Sequence, residues 1–288
     1  MTTKVNYTKA EHYIPKTYLK RFAENSFSTD NPPIWVFDLK KMSQIPHKNT
    51  ISDICQKKNL YELRDENGQI IARNMIENAF GRIETHIGAV IRSITVKSED
   101  EKNLNHINIL SSEDKELLTI LITMLNFRGP STIEVGEKYL KERFPDISEN
   151  DARNFTLLNL LPLGINEKWD ENTIIRSALK KYSGMEFQIG ITNDNIIFTS
   201  DNPVVEWPSK DDPELQPKAV MFPLTSKMVL YLFPPEVCPP QARNCFFELT
   251  SSQAESIHHD VAVYAKKYIF SQKPLTNKDI EIIKRAKT

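Results

Sequence analysis

The spacing of apolar side chains changes partway along the chain. Between residues 73 and 182 they recur every three or four positions, and from Met185 onward they come in short runs broken by turn residues. The first texture is helical and the second is β. Over 73–96, Ile76, Phe80, Ile83, Ile87, Val90, Ile91 and Ile94 form one stripe, which predicts a long amphipathic helix. Over 112–127 a Ser-Ser-Glu-Asp start leads into a run that is apolar on nearly every face. Such a helix belongs in the middle of the domain, with Leu121 in its core. Further helices are predicted over 132–144, 148–161 and 171–182, punctuated by Pro130, Pro145, Pro162 and Gly184.

In the second texture, 185–192 and 195–200 predict a hairpin through Asn193-Asp194. A second hairpin is predicted from 220–224 and 227–233, with Thr225 and Ser226 at its turn. Strands are expected over 34–39 and 267–271, and helices over 250–264 and 277–287. Residues 40–72 read as loop, with a weak helix near 52–58 and a turn at Gly68. The Pro-rich stretch 207–218 reads as an exposed loop, a candidate lid or partner-facing tip. The fold class that follows is α+β in a single domain over 1–288. A helix-rich part, 1–184, packs on a mainly antiparallel sheet formed largely by 185–288, because hairpin-length connections cannot join parallel strands.

Composition narrows the picture little. The chain has 288 residues, 40% of them hydrophobic and 26% charged, as in an ordinary soluble globular protein. A net charge of -1 supplies no global basic field for nucleic acid. The longest apolar block, 117–127, is far short of the roughly 20 residues a membrane span needs, so no membrane partner is expected. Met1 to Ala10 is polar and lacks the apolar core of a signal peptide. Cys55, Cys238 and Cys245 form no metal spacing, and an odd thiol count fits a reducing compartment. The expected location is the cytoplasm.

Candidate chemistry lies in two stretches. Ile196-Ile-Phe198 runs as a buried strand into Thr199-Ser-Asp-Asn-Pro203, where Pro203 bars Asn202 from helical backbone and the Asp and Asn can bond nearby amides. Near the start, Glu11-His12-Tyr13-Ile14-Pro15 precedes a short helix that docks through Tyr18, Leu19 and Phe22. His12 sits in irregular backbone before it, as either a core-satisfying imidazole or a ligand or base at a pocket edge. On the long helix, Glu84 and His86 differ by about 200° and cannot share a metal. Arg128, at the tip of the buried helix, cannot lose its charge, so it needs an acidic or phosphate partner, such as Glu84 or Asp201, or an exit to solvent. His258-His259 is a poor chelate on one helix and reads as surface.

Taken together, His12-Tyr-Ile-Pro-Lys-Thr-Tyr-Leu-Lys-Arg-Phe22 and Phe198-Thr-Ser-Asp-Asn-Pro-Val204 resemble the bacterial family called domain of unknown function 4238, over roughly residues 11–271. That family opens with His-Tyr-x-Pro-x-x-Tyr-Leu-x-x-Phe and carries Thr-Ser-Asp-Asn-Pro near the start of its C-terminal third. The resemblance takes in Glu84, Arg128 and Pro223-Leu224, and departs where the family tends to have an Asn near His258 or His259. It implies that His12, Glu84, Arg128 and Asp201 group into one site, and it brings no established activity.

A His, two carboxylates and an Arg suit metal-assisted phosphodiester hydrolysis. Glu84 and Asp201 would hold Mg²⁺ or Mn²⁺ with the imidazole, Arg128 would neutralise charge on phosphate, and Tyr13, Ser200 and Asn202 would contact substrate. The substrate would be a nucleic acid or a nucleotide-like ligand. By analogy with other patchy bacterial families, a nuclease of this kind would serve antiviral defence or act as a toxin. The competing expectation is a non-catalytic ligand-binding or interaction module whose buried polar network fixes the fold.

Overall fold

The computed structural model describes residues 10–24, 28–46, 49–99, 108–159, 180–182, 184–194, 196–208 and 217–288. The described residues begin with strand β1 (Ala10–His12) and the short helix α1 (Lys16–Leu19), prolonged by a 3-10 turn over Lys20–Phe22. Pro15 lies just before α1 in extended backbone, and Tyr18, Leu19 and Phe22 are buried beneath it. Strand β2 (Pro33–Asp38) is followed by the short strands β3 (Ser43–Gln44), β4 (Asn49–Thr50) and β5 (Gln56–Lys58). The last replaces the weak helix expected over 52–58. Cys55 adopts a left-handed φ of 53°, which a helix cannot contain, and the chain then pairs with β1. His12 is therefore held in a short ladder opposite Gln56, not in irregular backbone.

The helical part follows: α2 (Met75–Ser98), α3 (Ser112–Phe127), α4 (Pro130–Arg143) and α5 (Glu149–Asn159). The α2 stripe is buried as its period requires, from Ile76 through Phe80, Ile83, Ile87 and Ile91 to Ile94. Ser111 and Asp114 close a capping box at the start of α3, and residues 117 to 125 are all buried. Pro130 occupies the first turn of α4, where its missing N–H costs nothing. Of the helix expected over 171–182, residues 171–179 lie outside the described residues, as do 160–161 of the helix expected over 148–161.

The rest of the chain comprises β6 (Glu186–Ile191), β7 (Thr199–Ser200), β8 (Val205–Pro208), β9 (Pro217–Thr225), β10 (Met228–Phe233), β11 (Cys245–Glu248), helix α6 (Ser251–Tyr264), β12 (Tyr268–Ser271) and helix α7 (Asn277–Lys287). Among the described residues these strands form two five-stranded sheets. One runs β11-β6-β10-β9-β8, and the other runs β3-β2-β12-β7 with β4 attached to β2. All pairings are antiparallel except β11 with β6. The mixed α+β class is as the sequence predicts, but β2 and β12 form their own sheet and do not join the one built from 186–233.

Two expectations fail in this region. The hairpin across Asn193-Asp194 does not form. β6 is already flanked by the six-residue ladder of β10 on one side and by β11 on the other, so the chain after the turn crosses to the second sheet and pairs with β12. His258 is not at the surface either. It is 5% exposed, its ring stacks on Phe198 at 4.1 Å between centroids, Nδ1 lies 3.0 Å from Asp279 Oδ1, and Nε2 lies 3.1 Å from the Ile196 carbonyl oxygen. His259 alone stays exposed. The second predicted hairpin is present as β9 and β10, turning at Ser226-Lys227. Of the loop expected over 207–218, residues 209–216 lie outside the described residues.

Candidate functional site

Arg128 caps the C-terminus of α3, its N–H bonded to the Met124 carbonyl, and its side chain is only 1% exposed. Burying a guanidinium demands that each face and edge find a partner. Nη1 donates to Glu84 Oε1 at 2.7 Å, and Nη2 donates to the His12 carbonyl and lies 3.9 Å from Glu77 Oε2. Nε approaches the Tyr61 hydroxyl at 3.4 Å, which in turn donates to the Arg128 carbonyl at 2.8 Å. The planar group lies over Phe80 at 4.3 Å and Tyr61 at 5.7 Å from the ring centroids. Burial disfavours the charge, but Tyr61 and Glu84 outweigh it and leave the guanidinium more firmly protonated than usual. Glu77 and Glu84 reach it together because seven residues are nearly two helical turns.

Around this cation lie acids that burial resists ionising. Glu11 is fully buried. Oε2 accepts from the Tyr61 N–H at 2.9 Å, and Oε1 has no partner among the described residues. Burial pushes its pKa up to about 7, and the charges of Glu62 and Glu77 add to the effect. Burial likewise raises Glu77 to about 6, against the pull of Arg128. The His12 imidazole is pushed down to about 4 by burial and then by Lys16, and its Nε2 has no partner among the described residues. It is neutral at physiological pH and far from the pKa near 7 that suits a general base.

The Thr199–Pro203 turn forms a separate cluster. Asp201 Oδ1 and Oδ2 accept the backbone N–H groups of Lys266 and Lys267, both at 2.9 Å, and its own N–H bonds to the Tyr268 carbonyl at 3.1 Å. The carboxylate thus clamps the link between α6 and β12. Burial raises its pKa, opposed by these same amides. Ser200 is buried, and its Oγ accepts from the Asn202 N–H at 3.2 Å, the side-chain-to-backbone turn expected of such a sequence. Tyr13 shares a hydrogen bond with the Cys55 thiol, and both feel the charge of Asp201.

His12, Glu84 and Arg128 are thus brought together, though His12 takes part through its carbonyl and not its ring. Asp201 is not among the ion pairs of Arg128, which are Glu84 and Glu77. The two clusters are joined through the consecutive residues His12 and Tyr13. Among the described residues, no group of three or more His, Cys, Asp and Glu side chains is placed to hold a metal ion. Glu84 is engaged by the Arg128 guanidinium and Asp201 by two main-chain amides.

The sequence gives little hint of a cleft on the other side of the same turn. A pocket of about 310 Å³ is lined by Asn126, Phe127, Lys181, Tyr182, Asn202, Val204, Glu206 and Tyr264. Asn126 and Phe127 directly precede Arg128, and Asn202 is next to Asp201, so the end of α3 and the signature turn each border the cleft as well as the buried network. Asn202 Nδ2 donates to the Tyr264 carbonyl at 3.0 Å. Glu206 Oε1 accepts from Asn126 Nδ2 at 2.7 Å and from the Tyr182 hydroxyl, and Oε2 pairs with Lys181 Nζ at 2.7 Å. The Tyr264 hydroxyl donates to the Glu206 carbonyl. Burial and then Glu206 hold the Tyr182 hydroxyl protonated. A signal for Glu206 was its position on a short strand just after the Pro203 turn, but a lone acid there has no distinguishing pattern.

Among the described residues no helix is long and apolar enough to cross a membrane. No curated protein and no solved structure matches the chain. A family model described as "Protein of unknown function (DUF4238)" matches residues 11–274, which contain both signature stretches, the Arg128 cluster and the cleft, and the chain belongs to that family.

Proposed function

We propose that this chain is a ligand-binding module. His12, Glu84, Arg128 and Asp201 hold its fold, and the cleft beside Asn202 and Glu206 holds a small polar ligand. The observation that carries the reading is the divergence at the signature turn. Both carboxylate oxygens of Asp201 are engaged by main-chain amides, while its neighbour Asn202 lines the cleft. Hydrolysis of a phosphodiester would ask Arg128 to reach a phosphate and Glu84 and Asp201 to share a metal. The guanidinium is instead buried with its donors engaged, and the two carboxylates serve separate clusters. The cleft, near 300 Å³, is at the small end of the range for small-molecule sites and is lined mainly by convergent polar groups, which suits a small polar ligand.

The test is a thermal-shift screen of small polar compounds on the wild type and on Asn202→Leu. A compound at a hundred times its Kd should add roughly 2.7 kcal/mol of stability. The reading expects that shift to vanish in Asn202→Leu and to persist in Glu84→Gln. Mn²⁺-dependent phosphodiester cleavage lost in Glu84→Gln or Asp201→Asn would overturn it.

A further inference from the structure

Lys181 and Glu206 are the charged residues among those lining the cleft. The Glu206 carboxylate is oriented without the lysine. Asn126 and Tyr182 donate to Oε1, and Tyr264 holds the Glu206 backbone through its carbonyl. The second oxygen, Oε2, carries the Lys181 ammonium at 2.7 Å, and that ammonium lies 5.7 Å from the centroid of the Tyr182 ring. A fixed carboxylate beside an aromatic face is a seat for an organic cation. The present occupant is a flexible side chain, and both partners keep 23% of their side-chain surface exposed. The pair thus keeps a solvent-facing edge, and the lysine stem can swing its ammonium out into water, so the ammonium can be exchanged.

We propose that the cleft takes a small alkylammonium ligand, a primary amine on a short aliphatic chain, which displaces Lys181 from Glu206. The proposal rests on the reading of the cleft as the ligand seat. An incoming amine replaces the lysine like for like, so Glu206 stays paired while the long Lys181 side chain returns its ammonium to water. An anion would meet Glu206, and a neutral molecule would part the ion pair without replacing either charge. Phe127 and Val204 supply the apolar wall along which an aliphatic chain packs. The volume suits a chain of a few carbons.

The experiment titrates 1,5-diaminopentane, 1,5-pentanediol and glutarate into wild type, Lys181→Met and Lys181→Met/Glu206→Gln, by calorimetry. Removing the internal competitor should tighten diamine binding at least tenfold over wild type. Adding Glu206→Gln should abolish it, and the diol should bind none of the three proteins. Lys181→Gln, a neutral competitor, takes the place of Lys181→Met if the latter fails to melt cooperatively, with an intermediate gain expected. If glutarate or the diol binds and the diamine does not, the cation class is wrong while the cleft remains a ligand seat. If none of the three binds to folded protein and the screen with Asn202→Leu also finds nothing, both readings fall. Diamine binding that is indifferent to Glu206→Gln overturns the proposal as well.

Discussion

The Tyr18 hydroxyl donates to the Pro223 carbonyl at 2.8 Å and accepts from Thr199 Oγ1 at 2.6 Å, across 181 positions of sequence. One phenol thus ties the N-terminal signature to the Thr-Ser-Asp-Asn-Pro turn and to the Pro-Leu of β9. All three groups are buried, and the phenol is far too well buried to ionise. The signatures that mark the family meet as a structural clasp. Tyr18→Phe leaves a buried hydroxyl and a carbonyl short of a partner and should cost roughly 1–3 kcal/mol. In a double-mutant cycle with Thr199→Val, urea denaturation should give a coupling of at least about 0.5 kcal/mol. Strict additivity would show that the contact is incidental.

The Arg128 cluster should behave as a unit that tolerates no partial removal. Arg128→Met leaves Glu77 and Glu84 facing each other over an apolar side chain, and should destabilise by on the order of 3–5 kcal/mol. Glu84→Gln should cost less, because Glu77 remains 3.9 Å from the guanidinium. Denaturant midpoints of the two variants check the order. A loss under about 1 kcal/mol for Arg128→Met would mean that the site relaxes or floods.

Stability should depend on pH through Glu11. Its folded pKa, about 7, lies above the ordinary 4.5, so the folded state binds the proton more tightly. The contribution is fully present below pH 4.5 and is lost as pH rises through 7. Glu11→Gln mimics the protonated acid and lacks this loss. Its stability relative to wild type should therefore climb between pH 5 and pH 8, by up to roughly 3 kcal/mol at 1.4 kcal/mol per unit. His12 has the opposite sign. Its preference for the neutral form is present above 6.5 and lost as pH falls through about 4, so only the difference between variants isolates Glu11. A flat difference across the range would place the Glu11 carboxyl in water.

Leu121, 1% exposed in the middle of α3, was legible from the apolar run alone. Leu121→Ala should cost about 2–5 kcal/mol, as a cavity in a close-packed core does, with Tm as the readout. The amphipathic stripe of α2, the capped start of α3 and the β9–β10 hairpin were equally visible, because each is a local pattern of residues and turns. Arg128 could be singled out because a permanent charge at the end of an apolar helix must have a partner, and Glu84 was one of the partners its chemistry allowed. What stayed hidden was set by the tertiary structure. Nothing in Asn193-Asp194 says that β6 has both its edges filled by later strands, and nothing near His258 announces Phe198 and Asp279 around it. Glu11, Tyr61 and Glu77 entered the Arg128 cluster from a strand, a loop and a helix without any shared sequence pattern. The cleft was hidden for the same reason, since Asn126, Tyr182, Asn202 and Glu206 converge only after folding.

The division between a structural signature and a neighbouring ligand cleft is tested most directly at Asp201. The melting temperature and Mn²⁺-dependent phosphodiesterase activity of wild type and Asp201→Asn should be measured side by side. An Asn keeps one acceptor for Lys266 or Lys267 and turns an NH2 toward the other amide, so the account predicts a loss of roughly 1–3 kcal/mol. It also predicts no metal-dependent activity in the wild type for the substitution to remove. A wild type that cleaves phosphodiesters with Mn²⁺, and an Asp201→Asn that melts unchanged but has lost that cleavage, would contradict it.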